Sequence, residues 1–213
     1  MFPDTVSLFN MGTSFEGRPL EGIKIAKPKH ITRRRTFIIL GPQHAREWVA
    51  ASTSLYLAHA LAVDPSEQHP DQVEFTLGHL LDFYEFHIIP NPNPDGYEYT
   101  RTNDRLWYKN RQTVSHDGKI DCIGIDMDSN WVRACLNRHK AGLMVSVQGY
   151  KWQKAPDPCS HGYPGTRPFE SLEVNALATY ITHRIGRPGK AVAFLDLRAY
   201  GQLGTFICTW SLK

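Results

Sequence analysis

The sequence predicts an α/β layered fold. Three short apolar runs alternate with two segments of helical periodicity. The 213 residues, 41% hydrophobic and 21% charged, suffice for one sizeable core. The first run, Thr36–Leu40 (TFIIL), sits between a basic loop and Gly41-Pro42 and reads as a buried strand. Trp48 to Val63 reads as a helix with Trp48, Ala51, Leu55, Ala58 and Ala62 as its stripe, stopped at Asp64-Pro65. Phe83–Ile89 (FYEFHII) is a second strand, ended by Pro90. Asn91–Tyr97 (NPNPDGY) reads as a turn, because two prolines fix the backbone and Asp95-Gly96 permits a reversal. Glu170 to Ile185 is a second helix with Leu172, Ala176, Leu177 and Tyr180 facing inward; Gly186 and Pro188-Gly189 end it. Ala191–Leu197 (AVAFLDL) is a third strand. Val132 to Gly149 shows no periodicity, and a structureless loop of that length is unusual inside a compact domain.

Composition excludes several function classes. No stretch approaches the run of about 18 apolar residues that spans a bilayer, so no membrane role is expected. Met1 to Gly12 lacks the basic head and apolar run of a secretory signal. A net charge of +3 is too small to imply an acidic partner. The basic run Lys27–Arg35 (KPKHITRRR) has no interleaved aromatic residues, reads as a solvated loop, and predicts no nucleic-acid partner. Four cysteines, Cys122, Cys135, Cys159 and Cys208, are too few for a disulfide scaffold and none has C-x-x-C spacing. They leave the redox compartment open.

The strongest chemical signal is His44-Ala45-Arg46-Glu47, directly after the first strand and at the start of the first helix. A His and a Glu three apart at a helix start lie on one face and can share a metal, although a lone H-x-x-E pair is common. Asp126-x-Asp128-x-Asn130 opens like a calcium loop, but the required Gly is Trp131 and the closing Glu is Asn137, so that reading fails. The remaining histidines show no ligand spacing and read as surface or packing residues.

Several motifs occur together in one order: Gly12 to Pro19 (GTSFEGRP), Gln43 to Trp48 (QHAREW), Asn93 to Tyr97 (NPDGY), Arg105-Leu106-Trp107, Gly124 to Trp131, Asp157 to Ser160 (DPCS), Phe169-Glu170, Glu173, and Phe194 to Leu197. The set resembles the zinc carboxypeptidase family of exopeptidases. Gln43 to Trp48 and Leu57 to Ala62 (LAHALA) are similar to the fungal branch regarded as inactive metallocarboxypeptidase-like proteins. The resemblance covers nearly the whole chain, apart from Val132 to Gly149 and the last few residues. It implies a mixed twisted sheet flanked by helices, as a single partial domain over residues 1–213 that lacks the family's last elements. It also implies zinc held by two His and one Glu with one open position, a carboxylate general base, and arginines for the oxyanion and the substrate carboxylate.

Carried over position by position, the resemblance makes His44 and Glu47 the first two zinc ligands and Asp126 the carboxylate that orients His44. Arg46 and Tyr200 fall on substrate subsites, and Cys122 and Cys159 on a family disulfide that implies an oxidising compartment. Other positions depart. The third ligand is Arg198, whose guanidinium has no lone pair and is always charged. The oxyanion arginine is Tyr108, and the carboxylate-gripping Asn-Arg pair is Asp128-Ser129. The general base of the family lies further along its chain than Lys213. Asp196, on the same strand face as Arg198, is a poor substitute ligand because it lies one step deeper.

Weak or no zinc binding is therefore expected. The main expectation is a catalytically inactive metallocarboxypeptidase-like protein. An active zinc carboxypeptidase and a truncated or misassembled gene product, with retained introns at Val132 to Gln148 and near Gly204, are the alternatives. The resemblance further implies peptide or protein C-termini as partners, a monomer, and a secreted or vacuolar location connected with the cell wall.

Overall fold

The computed structural model describes residues 4–27, 35–63, 77–116, 119–131, 157–185 and 191–201. A five-stranded mixed sheet has the order β1-β2-β4-β3-β7. Its strands are β1 (Val6–Thr13), β2 (Pro19–Ile25), β3 (Arg35–Leu40), β4 (Tyr84–Ile89) and β7 (Ala191–Asp196). The β1–β2 and β2–β4 pairs are antiparallel, and β3 runs parallel to both β4 and β7. A separate antiparallel pair joins β5 (Thr113–His116) and β6 (Lys119–Ile123). The α-helices among the described residues are α1 (Trp48–Ala62), α2 (Pro94–Thr102) and α3 (Leu172–Tyr180), the last running into a π-turn at Ile181–Ile185.

Strand alternation sorts β3 between two cores. Ile38 and Leu40 face Val174, Leu177 and Ile181, the α3 side. Ile39 faces Ala58 and Leu61, the α1 side, together with Leu81, Phe86 and Ile88. The sheet is thus covered on both faces, as parallel strands require.

The three strands and two main helices lie where the periodicity put them, within one or two residues, but both helix stripes are rotated. In α1 the buried residues are Ala50, Ser54, Ala58 and Leu61, while Leu55 is half exposed. No charged residue marks a polar face in WVAASTSLYLAHALA, so the sequence leaves the phase of the helix undetermined. In α3 the buried set is Glu173, Val174 and Leu177, and Leu172 is half exposed. A buried glutamate inverts the usual reading of the pattern. The segment around Pro94 is a helix start rather than a turn: the Asn93 side chain accepts from Gly96 N–H at 3.0 Å, and Pro94 takes the first turn of α2. The basic run and the stretch 132–149 fall largely or wholly outside the described residues.

Candidate active site at the carboxyl ends of β3 and β7

Strand β3 has β4 on one side and β7 on the other, so the crevice beyond its carboxyl end is the switch point where open α/β sheets place their sites. The chain leaves β3 at Leu40 and enters α1 at Trp48; between them Gln43, His44 and Glu47 are buried. Gln43 braces this loop. Its Nε2 donates to Asp196 Oδ2 (2.9 Å), its Oε1 accepts from Trp131 Nε1 (2.7 Å), and its carbonyl accepts from Asn93 Nδ2 (2.9 Å). The sequence motif contained Gln43 but gave it no role.

His44 lies between two carboxylates. Nδ1 is 2.9 Å from Glu47 Oε1 and Nε2 is 3.1 Å from Asp126 Oδ1. Burial disfavours the imidazolium, and so does the adjacent Arg198. The hydrogen bonds to Asp126 and Glu47 outweigh both and raise the His44 pKa. Burial acts to raise the Asp126 pKa, but His44 and the Ser129 hydroxyl, which donates to Asp126 at 2.6 Å, bring it below its ordinary value. Tyr108 stacks on the His44 ring with centroids 3.6 Å apart, and Arg46 lies over the other ring of that stack, 4.8 Å from the Tyr108 centroid. Burial, and then the nearby Asp126, raise the Tyr108 pKa, so the phenol stays neutral.

Arg198 enters from the end of β7, where Leu197 N–H donates to Leu40 C=O at 2.9 Å. Its guanidinium contacts Asp128 (3.0 Å), Asp196 (3.1 Å) and Glu47 (3.5 Å). Nη2 lies 2.9 Å from His44 Nδ1 and 3.2 Å from Nε2, abreast of the carbon between them. Desolvation works against the guanidinium charge, yet Asp196, Asp128 and Glu47 hold its proton more firmly than usual. Asp196 is pushed up to about 6, first by burial and then by Asp128, against the pull of Arg198 and Gln43.

These residues do not fit a zinc ion. His44 and Glu47 spend their facing atoms on each other, and the third position holds a cation without a lone pair. A divalent ion about 4 Å from a guanidinium is disfavoured by roughly 8 kcal/mol at an effective dielectric of about 20. That removes about half or more of the roughly 10–16 kcal/mol that a complete structural zinc site provides. Asp196 does not rescue the set: its Oδ2 is taken by Gln43 and Arg198, and an ion at its unpartnered Oδ1 would still sit beside the Arg198 guanidinium, 3.1 Å from the same carboxylate. Among the described residues, one group of three possible ligands converges, Cys122, Asp157 and Cys159, and its two sulfurs are bonded to each other. That disulfide is the one the family resemblance implies.

Of the two predicted subsite residues, Tyr200 is 77% exposed two positions beyond Arg198, and Arg46 lies over the Tyr108 ring, its carbonyl accepting from Arg105 and its Nε buried without a hydrogen-bond partner.

A family model described as zinc carboxypeptidase matches residues 1–212. The chain belongs to the zinc carboxypeptidase family. It is 35% identical over 208 residues to the inactive metallocarboxypeptidase ECM14 of Ajellomyces capsulatus (strain NAm1 / WU24), covering 95% of this chain and 30% of that protein. It is 33% identical over 211 residues to the inactive metallocarboxypeptidase ECM14 of Arthroderma gypseum, covering 95% of this chain and 31% of the relative. The chain therefore spans about a third of the length of these curated relatives. The carboxypeptidase fold is shared with thrombin activatable fibrinolysis inhibitor (TM-score 0.73, 28% identity, 94% of this chain and 44% of that one). It is shared also with carboxypeptidase A from Helicoverpa armigera (TM-score 0.72, 25% identity, 94% and 42%). Among the described residues no helix is long and apolar enough to cross a membrane.

Proposed function

We propose that this zinc carboxypeptidase-family chain is a catalytically inactive, metallocarboxypeptidase-like protein. One observation carries the reading: the Arg198 guanidinium sits against His44 Nδ1 and Glu47 Oε2, the atoms that would face a metal. Without a metal-bound water there is no activated nucleophile, and Tyr108 offers a neutral phenol where an arginine would stabilise the oxyanion. The pairing of Asp128 with Arg198 leaves no cation free at that position for a substrate carboxylate. The proposed role is binding of a peptide or protein segment without cleavage. The disulfide supports an oxidising, secretory-route compartment, secreted or vacuolar, and a connection with the cell wall follows the fungal resemblance alone.

The test is release of C-terminal amino acids from a panel of model peptides, with and without added zinc. No turnover above the no-enzyme control is expected. Turnover abolished by Glu47→Gln would overturn the reading and favour an active carboxypeptidase.

A further inference from the structure

We infer that Arg198 is a built-in cation, replacing a metal ion as the group that holds this end of the fold together. Four carboxylates converge here from separate parts of the chain. Glu47 stands at the start of α1, Asp126 follows β6, Asp128 begins the short 3-10 turn, and Asp196 ends β7. Their side chains are 6%, 6%, 25% and 12% exposed, respectively, so water screens little of their mutual repulsion. Among the described residues, the basic side chains in direct contact with them are Arg198 and His44, and of these the guanidinium is the permanent cation. His44 serves Glu47 and Asp126; Arg198 serves Glu47, Asp128 and Asp196.

A planar guanidinium with five donors is shaped to bridge several carboxylates, and unlike a metal it cannot be chelated away or competed off by protons. The bridging is not saturated. Asp196 keeps Oδ1 buried with no hydrogen-bond partner, an acceptor that the guanidinium does not reach. Taking the guanidinium away leaves an imidazole and several carboxylate oxygens facing a vacated space, a donor set that suits a divalent ion. This role rests on the same placement of Arg198 as the catalytic reading and goes beyond it, from turnover to what holds the acid cluster together.

The experiment uses the full chain, Arg198→Lys and Arg198→Ala, melted in chelator and in zinc chloride, with zinc stoichiometry measured by equilibrium dialysis. The unaltered protein is expected to melt at the same temperature in both, within about 1 °C, and to retain no stoichiometric zinc. Arg198→Lys keeps the charge, so it should melt lower but stay insensitive to zinc. Arg198→Ala should melt lowest in chelator. It should rise by about 5–10 °C when zinc reaches about 100 times its dissociation constant. If Arg198→Ala does not fold in chelator, its recovery in zinc is the supporting result and failure to recover the opposing one. One zinc per unaltered chain with a raised melting point overturns the inference, as does an Arg198→Ala protein indifferent to zinc. An inactive protein giving either result would lose this inference alone, whereas peptide turnover would strike the catalytic reading first.

Discussion

The Asp196 carboxyl gives a measurable handle on the site. Its pKa is pushed from an ordinary 3.8 to about 6, chiefly by burial. A raised carboxyl pKa means that the folded chain takes up the proton more readily than the unfolded chain. The charged form therefore destabilises the fold above pH 6, and the penalty fades as pH falls toward 4. About two pH units at about 1.4 kcal/mol each gives a penalty of roughly 3 kcal/mol at neutral pH. Asp196→Asn removes the charge while keeping an oxygen that can accept from Gln43 Nε2 and Arg198. The variant should match the unaltered protein near pH 4 and be more stable by about 2–3 kcal/mol at pH 7.5, a urea midpoint higher by about 1 M. His44, whose raised pKa contributes stability that is lost as pH rises through its folded value, acts in the same direction in both proteins. Urea titrations at four pH values between 4 and 7.5 would measure the gap. A pH-independent gap, or an unaltered protein more stable at pH 7.5, would refute the reasoning and mean that the Arg198 pairing outweighs desolvation.

Two further outcomes follow from the frame around the site. Replacing Cys122 and Cys159 together by Ser opens a loop with a sequence separation of 37 and should cost about 4 kcal/mol in denaturant midpoints, a difference that vanishes in reductant. Gly124 has φ +95° and a Cβ there would stand 2.7 Å from both Asn110 O and Lys109 Cβ, so Gly124→Ala should cost about 2–4 kcal/mol. Gly17→Ala (φ +84°, open space) should cost only about 1 kcal/mol in the same assay.

The sequence made the chemistry of this site more legible than its packing. His44, Glu47 and Asp126 come together as the motif order implied, and Arg198 reaches them as the third-position substitution suggested. Cys122 and Cys159 also pair. Those residues are legible because lone pairs and charges belong to residue types. Helix phase belongs to surroundings. Glu173 is fully buried because Phe15 N–H, Asn110 Nδ2 and Ser171 Oγ all donate to it, a partnership spread over more than 150 residues that no local pattern displays. The β1–β2 pair escaped for a related reason. Most of β1 is exposed or half-exposed, while Leu20, Gly22 and Ile25 of β2 are buried, and the Phe9 ring occupies the space a Cβ on Gly22 would need. Gln43 was legible only as part of a motif; its bracing role depends on Trp131 and Asp196, which lie far away in sequence.

The position of β7 beside β3 also sets an order of events during synthesis. The residues that meet at the site are 154 positions apart, so His44, Glu47 and Asp126 leave the ribosome well before Arg198. At about 5–20 residues per second, the interval between His44 and Arg198 is roughly 8–30 s. During that time β3 can pair with β4, but its other edge waits for β7, and the acids at its end wait for their cation. The nascent chain therefore carries an open parallel edge beside carboxylates that still lack the Arg198 guanidinium, and their charge disfavours edge-to-edge association until β7 docks.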